Sequence, residues 1–415
     1  MLIKFKTKKK CRLCNHDNLK KVLDLPKTVP GEQLKKRKND KNINLIPIDH
    51  YMCSKCKHVQ LIHVPYFKNL WGKEYTYKPS DNPKLIKHFS DTVSFFKKNF
   101  EKKINFAFEI GSNDGIFLKQ IKKEFNSIVL GMDPSDEPIA IAKKNNIPTI
   151  KDFFNYSMSK KIKKKYGSPD LIIANNVFAH MDDMHSIVRG IDYLLKENGY
   201  FIFEASYLLD VVKKHLIGTM IHEHVSIHSI YSLKPFLSLY NLQLIGIRHV
   251  DKIQGGAIIG IAVKSKKIIK SNIVTKFINK EKENNLTTIK GLQKFNNIFH
   301  SRINKFKNLI NKKYLKHSIV GYGAARSAPL IIDLFDLRNK IEYIIDDNPR
   351  KINKYLSIGN IPIYNFKKKK NLLNNKLIFI LGWAQTERII VFLKKNKIRA
   401  NIATIFPKFA IIKIS

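Results

Sequence analysis

Seven residues, Glu109-Ile110-Gly111-Ser112-Asn113-Asp114-Gly115, set two glycines among two carboxylates. That pattern can seat a ligand against bare backbone. Glycine lets the chain come close to a bound molecule, and a helix starting there offers unpaired N–H groups. A dinucleotide turn carries G-x-G-x-x-G and a pyrophosphate. Here the spacing is G-x-x-x-G, with an acid before each glycine or one residue removed from it. Carboxylates suit a cationic ligand with hydroxyls, such as S-adenosylmethionine, better than a diphosphate. The competing reading is a plain turn, since D-G is common in loops.

The four cysteines fall in two pairs, Cys11-Arg-Leu-Cys14 and Cys53-Ser-Lys-Cys56, with none left over. Two C-x-x-C knuckles can bring four thiolates to one tetrahedral zinc, and a closed set of four describes a structural site without a water position. A redox pair is the alternative. His16 and His58 trail the knuckles and are read as neighbours or surface residues rather than ligands. Further on, His222-Glu223-His224 puts two imidazoles on one side of an extended chain with a carboxylate between them. A metal pair is a lesser reading of that cluster, because no further ligands lie close in sequence.

These residues need elements to hold them. Ile104 to Phe108 is a strand-length apolar run before the turn, and Ile116, Leu118, Ile121 and Phe125 follow at helical spacing. Ser127 to Met132 reads as a second strand ending at Asp133-Pro134, where a doubly wound fold puts the acid that binds a ribose. Ile147 to Ile150 is a third, followed by Asp152-Phe153-Phe154, which can hold an adenine by stacking and by its amino group. Asp170 to Val177 is a fourth, with Asn175 and Asn176 at its ligand-facing end. The helix Met184 to Leu195, the strand Tyr200 to Glu204 and a hairpin through Leu244 to Val250 and Ala257 to Val263 complete the pattern. Such alternation predicts a parallel sheet covered by helices on both faces, with an antiparallel edge.

Residues 264–316 are rich in Lys and Asn with apolar residues at helical spacing, which predicts one or two long helices. After them Gly321-Tyr322-Gly323 opens a second strand-turn-helix, with Asp346-Asp347-Asn348 at the end of the next strand. The expected division is a zinc-binding domain over 1–68, an S-adenosylmethionine-dependent methyltransferase domain over 69–265, a helical connector over 266–316 and a Rossmann-like domain over 317–415. The polar arm Gly31 to Asn44 is expected to be a loop, and Glu74 to Asp81 a polar aromatic lead into a helix over Lys84 to Phe100.

The chain has 415 residues, 44% of them hydrophobic, enough for two or three cores. No apolar run reaches the ~18 residues of a membrane span. The opening Met1-Leu2-Ile3-Lys4-Phe5-Lys6 lacks a signal peptide's apolar core, so a cytoplasmic protein is expected. The net charge of +43 comes mostly from lysine spread along the whole length, beside abundant Asn and Ile. That spread points to compositional drift rather than a nucleic-acid-binding patch.

This layout resembles the sugar C-methyltransferases that act on nucleotide-linked deoxysugars, over almost the whole chain. The resemblance rests on the four cysteines, the E-I-G-S-N-D-G turn, the Tyr75 to Ser80 segment, the N-N-V-x-A-H strand end at Asn175 to His180 and the H-E-H cluster. It extends to Gly255-Gly256, the Y-G-A turn Tyr322 to Ala324 and the D-x-N-P-x-K stretch Asp346 to Lys351. It implies S-adenosylmethionine, structural zinc, a nucleotide-diphosphate ketosugar and methylation of the carbon beside the ketone. Within it Glu109, Gly111, Asn113, Asp114, Gly115, Asp133, Asp152, Phe153, Asn175 and Asn176 would hold the cofactor. Tyr75, Ser80, Tyr322, Gly323, Ala324, Asp346, Asn348 and Lys351 would hold the sugar nucleotide.

The resemblance favours His224 as the base that removes the proton next to the carbonyl, with Glu223 orienting an imidazole. His180 and Tyr77 would contact the sugar or its oxyanion, and His222 completes the catalytic set. The implied assembly is a monomer or small homo-oligomer. One departure stands out: the family commonly has tyrosine before H-E-H, and this chain has Ile221. Two other readings keep the fold. One is a nucleic-acid methyltransferase gripping phosphates with its lysines, and the other a non-catalytic sugar-nucleotide binder with a retained cofactor site.

Overall fold

Each cysteine knuckle folds into the same tight turn. Asn15 N donates to Cys11 O and Lys57 N to Cys53 O, both at 3.1 Å, and Asn15 and Lys57 adopt left-handed backbone. Around these turns β1 (Phe5–Thr7) pairs with β6 (His63–Pro65), while β2 (Leu19–Leu23), β4 (His50–Cys53) and β5 (Val59–Leu61) form an antiparallel sheet. The structure is a computed structural model that describes every residue except 1–2, 32, 42, 67–76, 101, 252, 254, 315–317 and 415. Tyr75 and the expected boundaries at 68 and 316 lie outside the described residues.

The second lobe opens with α1 (Pro83–Asn99), capped by Asn82 and started by a proline. Leu85, Phe89, Val93 and Phe96 form its buried stripe. Its sheet comprises β7 (Phe106–Ile110), β8 (Ile128–Asp133), β9 (Thr149–Lys151), β10 (Leu171–Asn175), β11 (Tyr200–Ser206), β13 (Leu242–Val250) and β14 (Ala257–Lys264). The order is β13-β14-β11-β10-β7-β8-β9, parallel from β11 to β9 and antiparallel at β14 and β13. The parallel strands are nearly continuous apolar runs because helices cover both faces. Those helices are α2 (Ile116–Phe125), α3 (Asp136–Lys144), α4 (Tyr156–Tyr166), α5 (Met184–Leu194), α6 (Leu208–Lys214) and α7 (Ile230–Ser238).

The connector is two helices, α8 (Asn272–Glu283) and α9 (Ile289–Tyr314). The second buries Leu292, Phe295, Phe299, Ile303, Phe306 and Ile310 along one stripe. It also braces the zinc lobe, since His300 Nε2 meets Asp24 O at 2.7 Å and Asn296 Oδ1 accepts from Asp24 N at 3.0 Å. The last lobe contains β15 (Ile319–Tyr322), β16 (Ile341–Ile345), β17 (Tyr355–Leu356), β18 (Ile361–Tyr364), β19 (Leu377–Ile380), β20 (Ala400–Thr404) and β21 (Ala410–Ile414). Its helices are α10 (Ala328–Leu334), α11 (Phe366–Lys369) and α12 (Thr386–Lys395).

Two short strands tie the lobes together, and one overturns an expectation. Within the arm expected to be a loop, β3 (Leu34–Lys35) pairs antiparallel with β17 and becomes an edge of the last lobe's eight-stranded sheet. The other, β12 (Ser226–Ile227), comes just after H-E-H and pairs antiparallel with β5, joining the zinc-lobe sheet. The zinc lobe thus shares a strand with each of the other two lobes, one of them at the far end of the chain. Among the described residues no helix is long and apolar enough to cross a membrane.

Candidate active site

The strand order of the central sheet reverses between β7 and β10, and crossovers to either side leave a crevice at their C-terminal ends. A cavity of about 740 Å³ occupies that position. Gly111 lies at its edge with φ +70°, and a Cβ there would sit 2.4 Å from Val177 Cγ1. Only glycine meets both demands. Asp133 staples the turn: its Oδ2 accepts from Asn113 N at 3.0 Å and its Oδ1 from Ser135 N at 2.8 Å. Burial raises its carboxyl pKa in spite of those donors.

Glu109 lines the same cavity and is almost fully buried. Its Oε2 has no hydrogen-bond partner, nor does Ser112 Oγ beside it. Burial, then Asp114 and Asp133, push the Glu109 carboxyl well above its ordinary range. An orphaned buried acceptor among other carboxylates is matched by a ligand that brings positive charge and hydrogen-bond donors. The donor set thus fits S-adenosylmethionine. Asp152 and Phe153 line the cavity further out, and the Phe153 ring is 39% exposed, leaving an aromatic face uncovered. Asn175 and Asn176 border it at the end of β10, with Tyr77 and His180 also on its wall.

Asp114 and Gly115 do not line this cavity. Asp114 Oδ1 accepts from Ile116 N at 3.3 Å, at the start of α2, and its Oδ2 accepts from Ser80 N at 3.0 Å. Its work is to begin the helix and tether the Tyr77 segment. Asn113 adds a second tether, donating from Nδ2 to Tyr77 O at 3.2 Å. Ser80 is held through its backbone.

The H-E-H cluster divides its duties. His222 is buried and meets Ile46 O at 3.2 Å, so it faces the zinc lobe. His224 stacks on His180, ring centroids 5.0 Å apart and 18° from parallel. Its Nδ1 lies 2.7 Å from Thr219 O, so Nδ1 carries the proton and Nε2 keeps the lone pair. Loss of solvent pushes His224 down to about 4, partly opposed by the Thr219 carbonyl and reinforced by Arg326. The same burial, then His224 and Arg326, lowers His180 well below the ordinary value. Both rings are therefore neutral near pH 7. His224 does not itself border the cavity; it reaches it through His180.

Arg326 had no signal in the sequence beyond following the second glycine turn. From the last lobe its Nε comes within 3.9 Å of Glu223 Oε1, and its guanidinium lies 6.0 Å from the Tyr77 ring centroid. The zinc lobe supplies residues that sequence reading missed at this cavity, among them Lys4, Lys6 and Tyr66 at its rim. Arg12, fully buried, pairs with Asp182 at 2.9 Å on the cavity wall.

The last lobe repeats the stapled turn. Asp346 Oδ2 accepts from Ala324 N at 2.7 Å and Oδ1 from Asn348 N at 2.8 Å, as Asp133 does in the central sheet. Lys351 Nζ donates to Ala324 O at 2.9 Å. Tyr322, Gly323, Ala324, Asp346, Asn348 and Lys351 are thus brought together, but in a closed turn apart from the cavity.

The thiols of Cys11 and Cys56 are 3.5 Å apart, as are those of Cys14 and Cys53, and all four lie within 4.8 Å of one another. A tetrahedron of ~2.3 Å zinc–sulfur bonds has edges of roughly 3.8 Å, so the set fits zinc. His16 meets Ser54 Oγ and His58 meets Ser226 Oγ, each at 3.0 Å, outside the thiol set. A second grouping of Asp210, His249 and Asp251 is already bridged by Lys214, 3.1 Å from Asp210 and 2.5 Å from Asp251.

Comparison with known proteins covers the chain in three parts. Residues 11–70 match the family model of a zinc binding domain, 84–246 that of a methyltransferase domain and 252–407 that of a C-methyltransferase C-terminal domain. The C-methyltransferase NovU of Streptomyces niveus is 24% identical over 385 residues, spanning 92% of this chain and 91% of that protein. Among solved structures, magnesium protoporphyrin IX methyltransferase from Synechocystis PCC 6803 with bound SAH is 14% identical, with a TM-score of 0.34 over 43% of this chain and 83% of its own. A SAM-dependent methyltransferase from Archaeoglobus fulgidus is 14% identical, with a TM-score of 0.36 over 43% of this chain and 94% of its own.

Proposed function

The chain belongs to the C-methyltransferase family and is an S-adenosylmethionine-dependent methyltransferase that also binds zinc; from that premise we propose that it methylates the carbon alpha to the ketone of a nucleotide-diphosphate-linked deoxyketosugar. The observation that carries this reading is the buried imidazole of His224, fixed by the Thr219 carbonyl and stacked on His180 at the cavity wall. Methylation at oxygen or nitrogen does not need a base for a carbon acid. Methylation at carbon does, because the proton beside the carbonyl must leave for that carbon to become a nucleophile.

In this reading the sugar, once bound, reaches past His180 at the cavity wall so that His224 Nε2 takes the alpha proton, and the electron pair moves onto the ketone oxygen as an enolate. S-adenosylmethionine, when bound, supplies the electrophilic methyl to that carbon. Glu109, Gly111, Asn113, Asp133, Asp152, Phe153, Asn175 and Asn176 hold the cofactor; Asp114 and Gly115 serve it by shaping the turn. Asp133 binds the ribose hydroxyls with its remaining lone pairs, and the open Phe153 face takes the adenine. His180 and Tyr77 contact the sugar or the developing oxyanion, where donors held in place lower the barrier. Glu223 holds the loop, while His222 anchors it to the zinc lobe. The last lobe, with Tyr322 to Ala324 and Asp346 to Lys351, and the segment at Tyr75 and Ser80 serve the sugar nucleotide. Tyr77 stands in for the hydroxyl that Ile221 lacks.

A panel of nucleotide ketosugars incubated with isotopically labelled methyl donor, read by mass spectrometry, tests this. Labelled product at a carbon next to the ketone is the expected result. Methyl-donor binding without turnover on any ketosugar, or faster transfer to RNA or DNA at physiological salt, would overturn it.

A further inference from the structure

Arg326 lies outside the cavity and outside every motif read from the sequence, yet it stands where the last lobe meets Glu223, the residue before His224. The turn that delivers it is rigid: Asp346 holds Ala324 N and Lys351 holds Ala324 O, two residues before it. Its side chain is only 18% exposed and reaches Glu223 Oε1 at 3.9 Å, with the Tyr77 ring 6.0 Å from the guanidinium. The groups that face His224 come from several elements: His180, Thr219 O, His50 of β4 and His228. Of the groups whose fields reach this ring, Arg326 carries a permanent charge.

We propose that Arg326 is a positioning residue of the transfer site, delivered by the last lobe to steady Glu223 and to set a fixed positive charge beside the His180–His224 pair. It acts through those groups rather than on the substrate. A cation beside an imidazole opposes a second positive charge on that ring. Burial does most to keep the lone pair on the base, and the docked last lobe adds the Arg326 charge to that effect. The inference rests on the proposed role of His224.

The first test needs no substrate. Histidine titrations are followed by NMR on full-length, zinc-loaded protein, with the two rings assigned through His180→Gln and His224→Asn. In Arg326→Gln the midpoints of His180 and His224 should rise by about one pH unit, whereas Arg326→Lys should leave them near wild type. Arg326→Met keeps the stem's packing and reads the same change if the glutamine variant does not fold. On a ketosugar that wild type methylates, the acid limb of kcat/KM should move to higher pH in the neutral variants and return in Arg326→Lys. Unmoved imidazoles in a folded neutral variant overturn the proposal, as does an equal, pH-independent loss in Arg326→Lys and Arg326→Gln. Failure of every ketosugar would sink the proposed function and leave the titration result standing.

Discussion

The rings of His180 and His224 lie 5.0 Å apart and 18° from parallel, although one ends the short turn Phe178–His180 after β10 of the central sheet and the other sits in a loop claimed by the zinc lobe. A base at this junction is placed by two lobes at once. His224→Asn should lower turnover about 10²–10⁴-fold, the usual contribution of a positioned general base. Cofactor affinity should hardly change, because the Gly111 turn is elsewhere. In deuterated buffer wild type should exchange the alpha proton and the variant should not. Near wild-type turnover by a folded His224→Asn protein would pass the role to His222, His180 or Tyr77.

Asp133 serves the cofactor turn and, in the proposed reading, the ribose. Asp133→Ala removes two backbone hydrogen bonds as well as the proposed ribose contact. With charge-assisted bonds at about 1.5–3 kcal/mol, binding of S-adenosylmethionine should weaken roughly 10- to 100-fold by calorimetry. Unchanged affinity would remove Asp133 from the cofactor site.

Asp182 is the counter-charge of a fully buried arginine. Burial alone would raise its carboxyl, but Arg12, Lys6 and Lys8 hold it below the usual carboxylate range. Asp182→Ala leaves Arg12 buried without its partner, a change worth about 3–5 kcal/mol in chemical denaturation. A loss under about 1 kcal/mol, the scale of an exposed pair, would show that the zinc lobe docks by other means.

Acid should unfold the protein through its buried histidines. Burial lowers His222 and His228 to about 4, while an unfolded imidazole titrates near 6.5. Folded, each binds fewer protons, so its contribution is fully present above about 6.5 and is lost as pH falls towards 4. The denaturation midpoint should drop across that window, and His228→Gln should flatten the slope. Zinc release must be followed in parallel. A slope in the variant equal to wild type would leave His228 without a part in acid lability.

Removing the zinc should damage chemistry as well as the zinc lobe. The β12 strand that follows His224 is paired with β5, which itself follows the second knuckle. Metal analysis should find about one zinc per chain, and Cys14→Ser should lower it and destabilise the fold. Soluble, cooperatively folded protein without zinc would refute a structural role.

The sequence made the cofactor turn, the parallel strands and the zinc knuckles readable because each is a local pattern: glycine spacing, apolar runs, cysteine pairs. What it hid is set by distant partners. Leu34–Lys35 is too short to show a strand period, and its pairing with Tyr355–Leu356 has no signature in either segment. The bond from Ser80 N to Asp114 Oδ2, 34 residues along the chain, has no local pattern to announce it. Arg326 was invisible too, since its distance from Glu223 exists only after the central and last lobes have docked.

The two-residue strand β3 also sets a schedule. Lys35 Nζ bonds Asn360 Oδ1 at 2.6 Å across a separation of 325 residues. At ~5–20 residues per second of synthesis, the arm must wait roughly 15–65 s for the sheet that receives it. The N-terminal lobe can close around its metal early, but its arm remains an unclaimed edge through most of translation. A ribosome stalled before residue 355 would therefore hold a nascent chain with a finished metal knot and a free strand.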